Sequence, residues 1–192
     1  MPKITILSAT DRPGSMALKV SKFVQTKFNE QGAETDLVSL EDYPLADVAG
    51  GKYGTDIPSV IDFNERVLDA DGLVLVIPEY NGSFPGILKV FVDYLPFPEA
   101  FEKLPIAFIG EAAGAFGALR AVEQMQLIAN YRNALNFPER VFMQRVSKIF
   151  NEEDGITDQM TAQLMDSLVA NFTSFTDLNK GERERKAGIK TA

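Results

Sequence analysis

The chain contains no cysteine and no histidine. Their absence excludes a disulfide, a thiolate nucleophile, a zinc finger, a Cys–His or Ser–His couple and an imidazole-ligated metal. An enzyme with this sequence therefore needs chemistry carried by another molecule. Long apolar runs are missing too. None approaches the length of a membrane span, and Ile4-Thr5-Ile6-Leu7 behind Met1-Pro2-Lys3 is too short for a signal-peptide core. The expected compartment is the cytoplasm. Basic residues are in deficit, 19 against 27 acidic, and the net charge of −8 repels nucleic acid and anionic membranes. Neither is expected as a partner. No repeat of solenoid length and no low-complexity block interrupts the sequence.

What is present is the composition of one ordinary globular domain: 192 residues, 45% hydrophobic and 24% charged. The charge is uneven. Lys180, Arg183, Arg185, Lys186 and Lys190 outnumber Glu182 and Glu184, which gives residues 180–192 a net charge of +3 and leaves −11 for residues 1–179. A short charged terminus is commonly a solvated, frayed end. The expected division is a domain over 1–179 and a basic, flexible tail over 180–192.

Short apolar runs alternate with longer amphipathic ones, the pattern of βα units around a parallel sheet. Strands are predicted at 3–8, 35–39, 72–77, 105–110 and 140–144. Helices are predicted at 15–31, 59–69, 85–94, 115–134 and 157–177, the last with Met160, Leu164, Leu168 and Phe172 on one face. Between Glu41 and Ser59 the residues Pro44, Gly50, Gly51, Gly54 and Pro58 predict a mobile loop of the kind that covers a site. Five strands with intervening helices fit a doubly wound α/β sheet of flavodoxin-like order 2-1-3-4-5 with helices on both faces. Such a sheet binds ligands beyond the carboxyl ends of its strands, at the switch point between the first and third.

Three loops lie at that edge. The first, Ser8-Ala9-Thr10-Asp11-Arg12-Pro13-Gly14-Ser15, opens a helix whose first residues are Met16 and Ala17. Thr10 and Ser15 offer hydroxyls, Arg12 a guanidinium fork and Gly14 a turn, so amides at the helix start can face a phosphate. A plain N-cap at Ser15 beside a solvent-facing Arg12 accounts for the same residues equally well. The Walker pattern and the G-x-G-x-x-G pattern are both absent. The second loop, Pro78-Glu79-Tyr80-Asn81-Gly82-Ser83-Phe84-Pro85-Gly86, sets an aromatic ring, an amide and two hydroxyls between turn signals, directly after a central strand. It suits a flat heterocycle laid along the backbone, with a simple Asn-Gly turn as the plainer reading. In the third, Gly110-Glu111-Ala112-Ala113-Gly114-Ala115-Phe116-Gly117, the glycines serve either a ligand or close helix–sheet packing.

Pro78-Glu79-Tyr80-Asn81-Gly82-Ser83, followed by Pro85-Gly86, Leu88-Lys89 and Asp93, resembles the signature of the NAD(P)H-dependent FMN reductases, a family that includes flavin, quinone, azo-dye and chromate reductases. The first loop is similar to that family's Gly-Ser-x-Arg-x-x-Ser-x-Asn phosphate loop, with Ala9 in place of Gly and Ala17 in place of Asn. Glu111 stands where the family commonly has a small hydroxyl residue. The resemblance spans residues 3–175.

It implies FMN as a non-covalent cofactor. The phosphate would lie at Thr10, Arg12, Ser15, Met16 and Ala17, and the ring along Pro78, Glu79, Tyr80, Asn81, Gly82 and Ser83, with Gly110 and Gly114 behind it. It further implies NADPH or NADH as co-substrate and a small electron acceptor: a quinone, an azo compound, a metal oxyanion or free flavin. It implies no metal and no catalytic side chain, and a homodimer or dimer of dimers formed near residues 85–94 and 115–134. Phe91, Tyr94, Phe97 and Phe101 are aromatic enough for such an interface or for an internal core. The alternative is a flavodoxin-like FMN electron carrier that does not oxidise nicotinamide.

Overall fold

Alternation of side chains along each strand divides the apolar residues between two faces of a single sheet. In the computed structural model, which describes residues 1–189, the strands are β1 (Lys3–Ser8), β2 (Glu34–Ser39), β3 (Gly72–Pro78), β4 (Pro105–Ala112) and β5 (Leu135–Gln144). They pair in parallel in the order β2-β1-β3-β4-β5, the flavodoxin-like order expected. Leu7, Leu73, Leu75, Ile77, Ile106 and Phe108 point to one face. There α3 (Pro58–Leu68), α4 (Gly86–Tyr94) and α5 (Leu119–Tyr131) cover them. Ile4, Ile6, Val74, Val76, Ala107 and Ile109 point to the other, under α1 (Met16–Glu30) and α7 (Gln159–Ile189). Burial on both faces explains why β3 reads as an unbroken apolar run.

Four segments depart from the expected boundaries. β5 begins at Leu135, five residues before Arg140. Pro138 lies inside it and is tolerated because β5 is an edge strand that needs no further partner. α5 starts only at Leu119, since Gly117 and Ala118 both take positive φ and hold the preceding residues in a turn. The segment after β2 is partly ordered by a 3-10 turn and by α2 (Leu45–Val48). Tyr43 is buried there edge-on to Phe63 and Phe91, and the Tyr94 hydroxyl donates to Val48 O at 2.8 Å. Between β5 and α7 the chain adds α6 (Val146–Ile149) and a hairpin of β6 (Phe150–Asn151) and β7 (Gly155–Ile156). Phe150 sets that hairpin against Phe23 of α1.

Two expectations for the carboxyl-terminal region are corrected. Met160 and Leu164 are 70% and 50% exposed, and the apolar face of α7 begins at Met165 and continues through Leu168, Val169 and Phe172. The first turn of α7 runs beside the end of edge strand β5, with no further strand to cover. The second concerns the end of the last helix: α7 does not end near 177 but continues to Ile189. No proline or glycine interrupts the helix before Gly181, and Lys180 Nζ meets Asp71 Oδ2 at 2.9 Å. Residues 190–192 lie outside the described residues.

Gly110 shows how tightly the sheet and α5 approach. A Cβ there would meet Gly117 O at 2.4 Å and Ala118 Cβ at 3.1 Å. Gly110→Ala is predicted to lower stability by about 1–3 kcal/mol through overpacking, read as a shifted midpoint in chemical denaturation; an unchanged midpoint would show that α5 moves aside freely.

Candidate functional site

The loops after β1 and β3 are joined at the carboxyl edge of the sheet. β1 and β3 are neighbours, and their pairing runs on past the last strand residue through Ala9 N–H to Val76 O at 3.0 Å. Thr10, fully buried, then shares a hydrogen bond of 2.8 Å between its hydroxyl and that of Tyr80. The same Thr10 oxygen accepts the Arg12 N–H at 3.3 Å, which curls the loop. Gly14, at φ +59°, turns the chain into α1, and Ser15 caps that helix by accepting the Leu18 N–H at 3.1 Å.

Capping and anion binding are therefore not alternatives here. Ser15 takes up one amide, whereas the Met16 and Ala17 amides have no acceptor among the described residues. They carry the positive end of a 15-residue helix. The Arg12 guanidinium is exposed and makes no ion pair or hydrogen bond among the described residues. The Gly14 N–H donates to Glu41 Oε2 at 3.2 Å, a carboxylate reaching over from the turn after β2. An anionic group already rests on this loop.

The second loop is a tight turn. Tyr80 N–H donates to Ser83 O at 2.8 Å and Ser83 N–H to Tyr80 O at 3.1 Å, with Asn81 and Gly82 both at positive φ. That is the geometry for which Asn-Gly is favoured. The turn leaves the Asn81 and Gly82 amides without acceptors among the described residues. Gln124 of α5 grips it from below, accepting from the Ser83 hydroxyl at 2.5 Å and donating to Gly82 O at 3.2 Å. Arg120, one helical turn earlier, meets Glu79 Oε1 at 3.2 Å and lies over the Phe116 ring. Glu79 Oε2 is buried without a partner.

Glu79, Asn81 and Gly82 face Ala112, Ala113, Gly114 and Phe116 across a crevice of about 200 Å³. This is below the roughly 300–1,000 Å³ of enclosing ligand sites, so a flat ring seated here keeps one side open. Gly114 has no atom within 4 Å of a would-be Cβ and borders this space, whereas Gly110 is a packing glycine beneath it. Pro78 closes the end of β3 in register with Glu111. Thr10, Arg12, Ser15, Met16 and Ala17 thus gather at one end of the edge, and Glu79 to Ser83 with Gly114 at the other. Glu41, Arg120 and Gln124 are additions that the loop motifs did not reveal. The four-residue spacing of the last two marks one face of α5, but not its direction.

Glu111 is 6% exposed, and burial pushes its carboxyl up to about 7 from 4.5 while the charge of Arg12 opposes the rise. Lys89 and Asp93, four apart on α4, pair at 2.6 Å as their spacing requires.

A parallel sheet in this order, with an anion loop after its first strand and an aromatic turn after its third, defines a flavodoxin-like nucleotide-binding protein. The chain belongs to the NADPH-dependent FMN reductase family, whose profile matches residues 2–147. It is 28% identical over 189 residues to an NADPH azoreductase of Bacillus sp. (strain OY1-2), covering 97% of this chain and 99% of that one. It is 29% identical over 179 residues to a 2-hydroxy-1,4-benzoquinone reductase of Burkholderia sp., covering 83% and 97%. Among solved structures it resembles the flavoenzyme NAD(P)H:(acceptor) oxidoreductase FerB of Paracoccus denitrificans, with a TM-score of 0.78 at 21% identity over 93% of this chain and 99% of that one. The chain is thus an NAD(P)H-dependent oxidoreductase with FMN as its cofactor, not a flavodoxin-type electron carrier. The residues present fit that cofactor: the loop under Glu41 offers donors to a phosphate, and Glu79 Oε2 is an acceptor left over at the crevice wall.

Glu111 generates a pH prediction for the flavin-free chain. Its folded-state pKa lies above the unfolded value, so its contribution to stability is fully present below pH 4.5 and is lost as pH rises to about 7. The loss is roughly 3 kcal/mol. Glu111→Gln should remove this part of the pH dependence, measured by urea denaturation at intervals from pH 4 to 8. Equal slopes in the two proteins would contradict the burial argument.

Proposed function

We propose that Thr10, Arg12, Ser15, Met16 and Ala17 hold the phosphate of FMN, and that Pro78, Glu79, Tyr80, Asn81, Gly82 and Ser83 carry its ring, with Gly114 bordering it and Gly110 packing the sheet beneath. The observation that supports this most is Glu41 on the Gly14 amide, a carboxylate standing where a phosphate oxygen would be received. FMN, when bound, supplies the redox chemistry, taking a hydride from NADPH or NADH and passing reducing equivalents to the acceptor.

The protein's share is position and electrostatics. The Asn81 and Gly82 amides, unused by the turn, are donors for negative charge growing on a reduced ring edge. Gln124 and Arg120 fix that turn and Glu79, so the donors need not reorganise as charge develops. The open side of the crevice admits nicotinamide and acceptor in succession to one oriented position. No side chain is assigned a catalytic proton transfer. The acceptor class is quinones, azo compounds, metal oxyanions or free flavin, in keeping with the azoreductase and quinone reductase names of relatives. Residues 1–179 form the FMN-binding domain, and the basic segment from 180 onward is an extension that the chemistry does not need.

A homodimer belongs to the same proposal. Phe91 and Phe101 are core residues, but Phe97 is 63% exposed and stacks on Tyr131, itself 77% exposed, with Leu127 one turn earlier on α5. A second copy would cover this apolar face. Among the described residues no helix is long and apolar enough to cross a membrane, and the acidic charge gives nucleic acid no purchase. The cytoplasm, where NADPH and NADH are supplied, is the proposed compartment.

Three experiments test these assignments. Arg12→Ala should weaken FMN binding about ten- to a hundredfold, the worth of a charge-assisted hydrogen bond, and Glu41→Gln should strengthen it; fluorescence quenching of added FMN reads both. The wild-type flavin should bleach within seconds of anaerobic mixing with NADPH, and a flavin that stays oxidised would defeat the reductase reading. Leu127→Lys with Tyr131→Lys should convert a dimer to a monomer in sedimentation velocity, whereas unchanged sedimentation would remove that face from the interface.

A further inference from the structure

The loop from Ala112 to Phe116 is hydrogen-bonded to a residue that lines a second cavity. The Arg145 N–H donates to Gly114 O at 2.9 Å, and Arg145 lines a groove of about 480 Å³ between the end of β5 and the start of α7. This volume lies in the range of small-molecule sites. Its walls combine two unlike features. Phe142, Ile149, Met160 and Leu164 give it an apolar lining, and Met160 and Leu164 are the α7 side chains left exposed where an internal role was expected.

Arg145 and Lys148 are the cations of the groove. Both are exposed, and among the described residues neither side chain makes a hydrogen bond or ion pair. Several other cations of this acidic chain are paired, Lys19 with Glu152, Lys27 with Asp166, Lys89 with Asp93 and Arg120 with Glu79, whereas Arg12 of the loop after β1 is unpaired like these two. Arg145 is also held at φ +47°, a conformation disfavoured for a residue with a Cβ. The bond to Gly114 and the Lys148 N–H on Arg145 O at 2.7 Å fix it there. The acid on the wall, Asp158, uses Oδ1 to accept from the Thr161 N–H and hydroxyl. Two unpaired cations beside an apolar wall suit an aromatic base that carries a phosphate.

We propose that this groove binds the 2′-phosphoadenosine end of NADPH, with Arg145 and Lys148 on the phosphate and Phe142, Ile149, Met160 and Leu164 against the adenine. The inference rests on the reductase reading, which brings a nicotinamide nucleotide to the neighbouring crevice. NADH lacks the phosphate that would meet the two cations, so the groove selects NADPH. Sulfonated aromatic acceptors share the chemistry of an anion on a flat ring, and the test separates them from the nucleotide.

Calorimetric titration of the flavin-free chain with 2′,5′-ADP, 5′-AMP and inorganic phosphate reads the groove without turnover. The expected order is 2′,5′-ADP at least tenfold tighter than either other probe, weakened by salt, and lost in Arg145→Ala with Lys148→Ala. In the FMN-loaded enzyme the same double variant should raise KM for NADPH tenfold or more while KM for NADH and both kcat values stay in place. Lys148→Glu, at an exposed position, should act in the same direction. Equal binding of 2′,5′-ADP by wild type and double variant, or a parallel rise in KM for both nucleotides, would overturn the proposal. A rise confined to a sulfonated azo acceptor would overturn it too and give the groove to the acceptor. Oxidation of neither nucleotide by the wild type would refute the reductase reading separately, since the calorimetric result stands without it.

Discussion

The hydrogen bond between the hydroxyls of Thr10 and Tyr80 fixes the geometry on which the site depends. It joins the loop after β1 to the aromatic turn after β3, and so sets the distance between the proposed phosphate and ring subsites before any ligand arrives. Sheet pairing supports it from below, through Ser8 opposite Val76 and the Ala9 bond to Val76. The turn is held from the other side by Gln124. A ligand that spans both subsites then spends little of its binding energy on ordering loops.

Electrostatics at this edge runs against the charge of the whole. A chain with a net charge of −8 must receive an anion, and in the proposed site the start of α1, Arg12 and the turn at Gly14 would do so. Two carboxylates oppose the anion in different ways. Glu41, reaching over from a separate turn, occupies a donor that the proposed phosphate would take. Glu111 is buried near the same guanidinium, and its raised pKa keeps much of its charge off near neutrality. The local field that a phosphate meets is therefore less negative than the composition suggests.

Most of the architecture was legible in the sequence because both-sided burial leaves a strong trace. β1 and β3 are apolar runs with sharp ends, and the Ala17, Val20, Val24, Phe28 series of α1 is fully buried as its spacing requires. Where the trace failed, the cause was local. Pro138 hid the first half of β5, and Met160 and Leu164 mimicked a buried helical face although no strand lies beneath them. The loops of the proposed site were picked out through their residue types, and the Asn81-Gly82 segment is a simple turn that also leaves two amides without acceptors among the described residues. Glu41, Arg120 and Gln124 escaped notice because their roles depend on direction in space: each reaches the loops from an element distant in sequence.

The proposed anchor of the cofactor is its phosphate, held at the start of α1. Calorimetric comparison of FMN with riboflavin, which carries the same ring without the phosphate, tests it most directly. Riboflavin should bind at least about a hundredfold more weakly, the loss of two or more charge-assisted hydrogen bonds. Equal affinities would mean that the ring alone is recognised and that the loop from Ser8 to Ser15 holds no anion.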